Sequence, residues 1–185
     1  QVFFKDAEIT NLPPYVISRM GIGRSFQRVN IFPLLSVFEN VQLSLLSGAG
    51  KGTDLYTDAR RLLAEETGNI LKIVGLNDKA DIPASSLSHG DQKRLEVGIV
   101  LGGHPELMLL DEPTAGMSPE DTKDFIRFIQ AVIKKENLTV LFVEHDMSVV
   151  FGISDKIRVM DQGRIISIGT PAEIKDDPQV QRVYL

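Results

Sequence analysis

The spacing of apolar and polar positions changes character along the chain. From Pro105 onward, short apolar runs take turns with longer amphipathic stretches. Leu107–Leu110 and Thr139-Val140-Leu141-Phe142-Val143 have the length and branching of buried strands. Between them, Ser118-Pro119-Glu120-Asp121 is a helix start, with serine as cap, proline at the first position and acids near the positive end. Phe125, Phe128, Ile129, Val132 and Ile133 give that helix one apolar face. The pattern then predicts a helix from Met147 to Ile153, a strand from Lys156 to Met160, and a strand from Arg164 to Ile168 after the turn Asp161-Gln162-Gly163. Pro171 to Lys175 starts a last helix. Strand, helix, strand, helix, strand from 107 to 160 predicts a parallel sheet with crossover helices.

The earlier part reads as nearly all helix. Pro13-Pro14 opens a short helix that ends near Gly21, and Ile22 to Val29 reads as a loop. Ser36-Val37-Phe38-Glu39 has capping-box spacing and starts a helix through about Leu46. Ser47 to Thr53 is glycine-rich. Thr57 to Val74 forms a longer helix with Leu62, Leu63, Ile70, Ile73 and Val74 on its apolar stripe, stopped by Gly75. Ser88 begins a further helix through about Gly102. The expected architecture is therefore an α/β core, mostly parallel, with an inserted helical subdomain, divided as residues 1–27, 28–104 and 105–185.

At 185 residues, with 43% hydrophobic and 24% charged residues, the chain can bury the core of one medium domain. A formal net charge of −5 argues against broad nonspecific binding to nucleic acid or to an anionic bilayer. Cysteine is absent, which excludes a disulfide framework, a thiolate metal site and a thiol nucleophile, and suits the cytosol. No apolar run reaches the 18 or so residues that would span a bilayer. Gln1-Val2-Phe3-Phe4-Lys5-Asp6 lacks the layout of a signal peptide and reads as the interior of a protein, cut just inside a strand.

The candidate chemistry begins at Leu107-Met108-Leu109-Leu110-Asp111-Glu112. Four apolar residues run directly into two acids, and charges avoid cores unless they have a partner or a task. In a nucleotide hydrolase the first acid can hold Mg²⁺ and the second can orient and deprotonate the attacking water. The same six residues also fit a strand that ends in a solvated turn. Ligands of parallel sheets sit at the carboxyl ends of the strands. Asp111-Glu112 and Glu144-His145 both fall there, on successive strands. Ser88-His89-Gly90 combines a helix cap, a glycine that lets backbone approach a phosphate, and a helix N-terminus; an ordinary capped helix has the same spacing.

Four stretches occur in a fixed order: Ser25-Phe26-Gln27, Leu87-Ser88-His89-Gly90-Asp91-Gln92, Asp111-Glu112-Pro113-Thr114 and Val143-Glu144-His145-Asp146. Together they resemble the ATP-binding subunits of ABC transporters from the Q-loop onward, over nearly the whole chain. The resemblance implies a RecA-like P-loop NTPase core, ATP and Mg²⁺ as ligands, and ATP hydrolysis. It makes Asp111 the Walker B acid on Mg²⁺, Glu112 the catalytic base, and His145 the switch histidine on the γ-phosphate. Gln27 becomes the Q-loop glutamine that senses Mg²⁺ and the γ-phosphate. Without the resemblance, Gln27 would read as a solvated loop amide and His145 as a satisfied histidine at a strand end.

By the same resemblance, Ser88 and Gly90 belong to the signature loop, which acts on ATP held by a second ATPase subunit in a head-to-tail dimer. His89 replaces the more usual glycine, Asp91 the usual glutamine, and Ser118 the frequent D-loop aspartate. Gly21–Gln27, Leu87–Gly90, Ala115-Gly116-Met117 and Gly169–Ile174 point to importers of branched-chain amino acids, with urea and short-chain amide importers close in pattern. Partners would be transmembrane permease subunits, with no nucleic acid and no insertion of this chain into the bilayer. The place of work would be the inner face of the plasma membrane.

No G-x-x-x-x-G-K-[ST] occurs in the chain. Gly48-Ala49-Gly50-Lys51-Gly52-Thr53 fails, because Leu45 stands where the first glycine should be and Gly52 where Ser or Thr must reach Mg²⁺. The expectation is an amino-truncated subunit, lacking the Walker A P-loop, that hydrolyses ATP negligibly by itself. Its missing strand would lie beside the Walker B strand, leaving apolar surface that drives self-association. The alternative from another class is a non-catalytic module that donates its signature loop to a partner ATPase. ABC-type ATPases of DNA repair fit less well, because the chain has neither heptads nor cysteine.

Overall fold

The computed structural model describes residues 1–25, 30–48 and 63–184. Gln27, the segment 49–53 and the first six residues of the helix expected from Thr57 lie outside the described residues. The chain opens with a small hairpin, β1 (Phe3–Phe4) against β2 (Ala7–Glu8), followed by α1 (Pro14–Arg19). The central sheet holds three parallel strands in the order β3 (Ile22–Arg24), β4 (Leu107–Asp111), β5 (Thr139–Val143).

Ile22–Arg24 is therefore a strand and not the expected loop. Three residues are too few to display a period, and what makes them a strand is the partner. Ile22 lies opposite Leu107 and Arg24 opposite Leu109, and the Ser25 N–H extends the ladder to the Leu109 carbonyl at 2.9 Å. A Cβ added at Gly23 would come within 2.4 Å of Val100, so the glycine allows the following helical segment to pack close on β3.

Along β4 the side chains alternate. Met108 and Leu110 are buried, while Leu107, Leu109 and Asp111 face a more open side. Each buried apolar side chain contributes about 1.5–3 kcal/mol. The helices α2 (Val37–Gly48), α3 (Ala64–Val74) and α4 (His89–Leu101) pack on one another through Val41, Leu71 and Leu95. The same apolar cluster continues through Met108 into α5 (Pro119–Glu136) at Phe125 and Ile129.

The caps follow the sequence signals. The Ser36 N–H donates to Glu39 Oε2 at 2.8 Å and the Glu39 N–H returns to Ser36 Oγ at 3.1 Å. Gly75 ends α3 in the left-handed region, at φ +71°. On α5, Ser118 caps, Glu120 and Asp121 sit in the first turn and Lys134 and Lys135 in the last, each suited to the helix dipole. The Arg94 guanidinium of α4 lies over the Phe128 ring of α5, 4.5 Å from its centroid.

After β5 come α6 (Met147–Ile153), β6 (Ile157–Asp161), β7 (Arg164–Gly169), α7 (Pro171–Asp176) and α8 (Pro178–Tyr184). Here the expected third parallel strand is corrected. β6 pairs antiparallel with β7. Gln162 at φ +43° and Gly163 at φ +77° give the two left-handed residues of a tight hairpin, so the neighbouring strand is captured locally. Ile157 and Val159 then bury against Ile174 of α7 and Val180 of α8 in a second small cluster. α8 itself follows the helix expected to be last; its start is signalled by Asp177, which accepts the Gln179 N–H at 2.8 Å, and by Pro178.

β4 is paired on both edges, so no strand fits beside it. The outer strands are β3 and β5, and on β5 Leu141 and Val143 are exposed. We predict that the 185-residue chain binds a hydrophobic dye and scatters light as more than a monomer, and that Leu141→Lys with Val143→Lys suppresses both. A dye-silent monomer would contradict this.

Candidate functional site

Parallel pairing of β4 and β5 runs to their last residues, with Asp111 opposite Val143. Both strands therefore end at one level, and the residues that follow are brought side by side. The Glu112 N–H donates to the Val143 carbonyl at 3.0 Å, and the Glu112 carbonyl accepts the Ala115 N–H at 3.1 Å. Between these bonds Glu112 sits in the left-handed region at φ +45°, which a residue with a Cβ rarely adopts. Such a conformation costs about 1–3 kcal/mol and persists where the surroundings over-determine it.

This turn aims the Glu112 carboxylate at the next strand end. His145 Nδ1 lies 3.8 Å from Glu112 Oε1, with the imidazole 72% exposed and the carboxylate about one-third exposed. Asp111, on the open side of β4, meets Arg24 from the adjacent strand, with Nη2 3.8 Å from Asp111 Oδ2. Leu109 and Asp111 share a face of β4, and Arg24 is registered opposite Leu109, so the contact follows from strand pairing. Both groups are largely exposed, and the pair adds little to stability. Asp111, Glu112 and His145 thus share one end of the sheet.

Glu144 is a different kind of residue. Its side chain is 1% exposed. Oε1 accepts the Thr114 N–H at 3.0 Å and the Thr114 hydroxyl at 2.6 Å, and Oε2 accepts the His145 N–H at 3.2 Å. Neither Glu144 nor Thr114 has a task expected from the sequence. The signal was available, because an acid at the end of a buried strand needs partners. One residue past His145, Asp146 caps α6, accepting from the Ser148 N–H at 2.8 Å and its hydroxyl at 2.6 Å.

Ser88 and Gly90 have other neighbours. Ser88 caps α4 by accepting the Asp91 N–H at 3.2 Å, while the Asp91 carboxylate turns away to Lys79 Nζ at 2.6 Å. That bond raises the Lys79 pKa and keeps the ammonium charged. Ser88 and Gly90 line a shallow cleft of about 150 Å³ with Arg94, Met117 and Asp121. A Cβ at Gly90 would touch nothing, so the loop's backbone is open to a ligand. Gln27 lies outside the described residues.

Among the described residues, no cluster of three or more His, Cys, Asp or Glu forms a metal cage. The half-exposed Asp111 carboxylate suits a different mode. Mg²⁺ commonly keeps several waters and takes one or two carboxylates together with phosphate oxygens. The donor set fits an ion shared with a nucleotide. No helix among the described residues is long and apolar enough to cross a membrane.

Comparison with known proteins gives a consistent result. Residues 1–115 match the ABC transporter family, and residues 164–185 match a branched-chain amino acid ATP-binding cassette transporter family. Over its full length the chain is 37% identical to the high-affinity branched-chain amino acid transport ATP-binding protein LivG of Escherichia coli (strain K12), spanning 75% of that protein. It is 36% identical to the corresponding BraF protein of Pseudomonas aeruginosa, over 96% of this chain and 72% of that one. A solved ADP conformation of an ATP-binding cassette of an ABC transporter superposes with a TM-score of 0.80 at 28% identity, over 98% of this chain and 75% of that one.

The ground beneath His145 carries a pH prediction. The Ser148 hydroxyl bond, and after it the Ser148 backbone N–H, hold the Asp146 carboxyl below its usual range. Thr170 N–H and hydroxyl do the same for Glu173, and the Ser167 hydroxyl for Asp177. Groups with depressed folded pKa values contribute fully above their unfolded values, about pH 4, and lose that contribution as pH falls through the folded values. Acid titration followed by amide exchange should therefore loosen α6 and the β7–α7 corner below about pH 4. Ser148→Ala should shrink the effect at α6. Acid-insensitive exchange there would contradict it.

Proposed function

Because the chain belongs to the ABC transporter family of ATP-binding proteins, we propose that it is the ATP-hydrolysing motor of a membrane importer, with branched-chain amino acids as the transported class. The family's RecA-like P-loop NTPase fold is the fold of this chain. The observation that carries the catalytic part of the reading is the 3.8 Å approach of His145 to Glu112, at the shared end of two parallel strands.

In this reading Glu112 accepts the proton of the attacking water, and His145 donates a hydrogen bond to the γ-phosphate. Asp111, with Gln27, would hold Mg²⁺, which when bound offsets the charge of the phosphates. Ser88 and Gly90 present their helix N-terminus to ATP held by a second ATPase subunit, arranged head to tail. The LivG and BraF similarity supports the amino acid class, since those proteins are named for branched-chain amino acid transport. Urea and short-chain amides are the competing solutes, and selectivity lies with other subunits.

The permease partner is supported by a surface. Pro33–Val37 runs beside Ile82–Ser85, with the Val37 N–H on the Ile82 carbonyl at 3.0 Å and the Ala84 N–H on the Leu35 carbonyl at 2.9 Å. This pairing holds up Phe32 and Leu34, the latter 89% exposed. Isolated exposed apolar residues are common, but two held out on a braced loop suit a docking contact. In this reading such a contact would hold the chain at the inner face of the plasma membrane without inserting it.

No G-x-x-x-x-G-K-[ST] occurs in the 185 residues, and a hydrolase needs that ring of N–H donors and its lysine. The 185-residue chain alone is therefore expected to show negligible turnover, and robust hydrolysis by it would overturn that expectation. The second reading, a module that donates its signature loop to a complete partner, draws on the same missing cradle.

Two measurements test the main reading. In the assembled importer, Glu112→Gln should cut ATP turnover about 10²–10⁴-fold while leaving nucleotide bound; unchanged turnover removes Glu112 from this role. Leu34→Asp should leave the fold intact and abolish co-purification with permease subunits; undiminished capture moves the docking contact elsewhere.

A further inference from the structure

Glu144 is buried at the strand ends with three donors and no assigned task. The donors are the Thr114 N–H, the Thr114 hydroxyl and the His145 N–H. None of these three donors is a cation, and the His145 imidazole stands further off, its Nδ1 4.0 Å from Glu144 Oε2. Burying a carboxylate is costly, and an apolar residue of similar volume would avoid that cost. The carboxylate makes sense through what it connects.

Thr114 stands two residues after Glu112, and Glu144 stands one residue before His145. The carboxylate therefore joins the loop leaving β4 to the loop leaving β5. The Glu112 N–H to Val143 carbonyl bond, 3.0 Å, joins the same two loops one step closer to the strands. Together they close a ring through Glu112, Thr114, Glu144 and Val143. The hydroxyl bond of 2.6 Å is the short, charge-assisted member. Glu112, a member of the ring through its N–H, is the residue in the left-handed backbone conformation.

We propose that Glu144 is a positioning residue that, through Thr114, sets the separation of the Glu112 carboxylate and the His145 imidazole. The Glu144 side chain is 1% exposed, so it acts through the groups it bonds. Removing the Thr114 hydroxyl leaves only its N–H bond to Glu144 Oε1, and exchanging one Glu144 oxygen for an amide nitrogen takes the charge from the acceptor; either change loosens the ring and lets the two loops move more freely. The catalytic consequence rests on the ATPase reading above; the mechanical one does not.

The experiment has two arms. In the nucleotide-free 185-residue chain, amide hydrogen exchange is measured residue by residue for the parent, Thr114→Ser, Thr114→Val and Glu144→Gln. The expected result is exchange faster by about tenfold or more at Glu112, Thr114 and His145 in Thr114→Val and Glu144→Gln, with Leu109 and Phe128 unchanged. Thr114→Ser, which keeps the hydroxyl, stays within about twofold. In the assembled importer, Thr114→Val should lower kcat by about tenfold or more with KM for ATP little changed, and Thr114→Ser should restore it. Unchanged exchange at Glu112 and His145, or faster exchange spread evenly over the chain, overturns the proposal. A parent importer without ATPase activity would sink the functional reading, while the exchange arm would still decide the ring.

Discussion

Parallel pairing of β4 with β5, in register to the final residue, is the constraint on which the site depends. It places Asp111 and Val143 opposite each other and forces the two following loops to share a small volume. Everything polar at that end answers the same demand. Glu112 turns back through a left-handed conformation and gives its N–H to Val143. Glu144 buries its carboxylate on Thr114, and Asp146 starts α6 beyond His145. A shift of one residue in register would invert the facing of Asp111 and send it toward the core with Met108 and Leu110.

The hydrophobic contribution and the polar one are divided between the two sides of β4. Met108 and Leu110 anchor the strand in the cluster that runs through α2–α4 and α5. Leu109 and Asp111 look to the other side, where Arg24 approaches from β3. The core thus fixes the strand, and the strand delivers its acids to the open side without asking the acids to stabilise anything. That separation is why exposed, weakly bonded groups such as His145 can occupy a defined place.

Much of this was legible in the sequence. The strands Leu107–Asp111 and Thr139–Val143 announce themselves by composition, and Ser36, Ser88, Ser118 and Thr170 each cap a helix where a local signal predicts one. Gathering Glu112 and His145 at one sheet end was legible from two successive strands ending in Asp111-Glu112 and Glu144-His145. What was not legible depended on partners far along the chain. Ile22–Arg24 becomes a strand only because β4 lies beside it, and Ile157–Asp161 pairs with its neighbour because Gln162 and Gly163 fold the chain back at once. The left-handed turn at Glu112 leaves no trace in composition, since glutamate is an unusual choice there. Glu144 was visible as an acid, but its use required knowing that Thr114 comes to meet it.

Membership of the ABC transporter family and the geometry of the strand ends converge on a single claim, that Glu112 and His145 act as one unit on a phosphoryl group. The most direct measurement is single-turnover ATP hydrolysis by the assembled importer carrying Glu112→Gln, His145→Ala and both together. Groups that act as a unit lose their effect together, so the double variant should be little slower than the slower single. Losses that multiply in full would show two independent contributions and contradict the account.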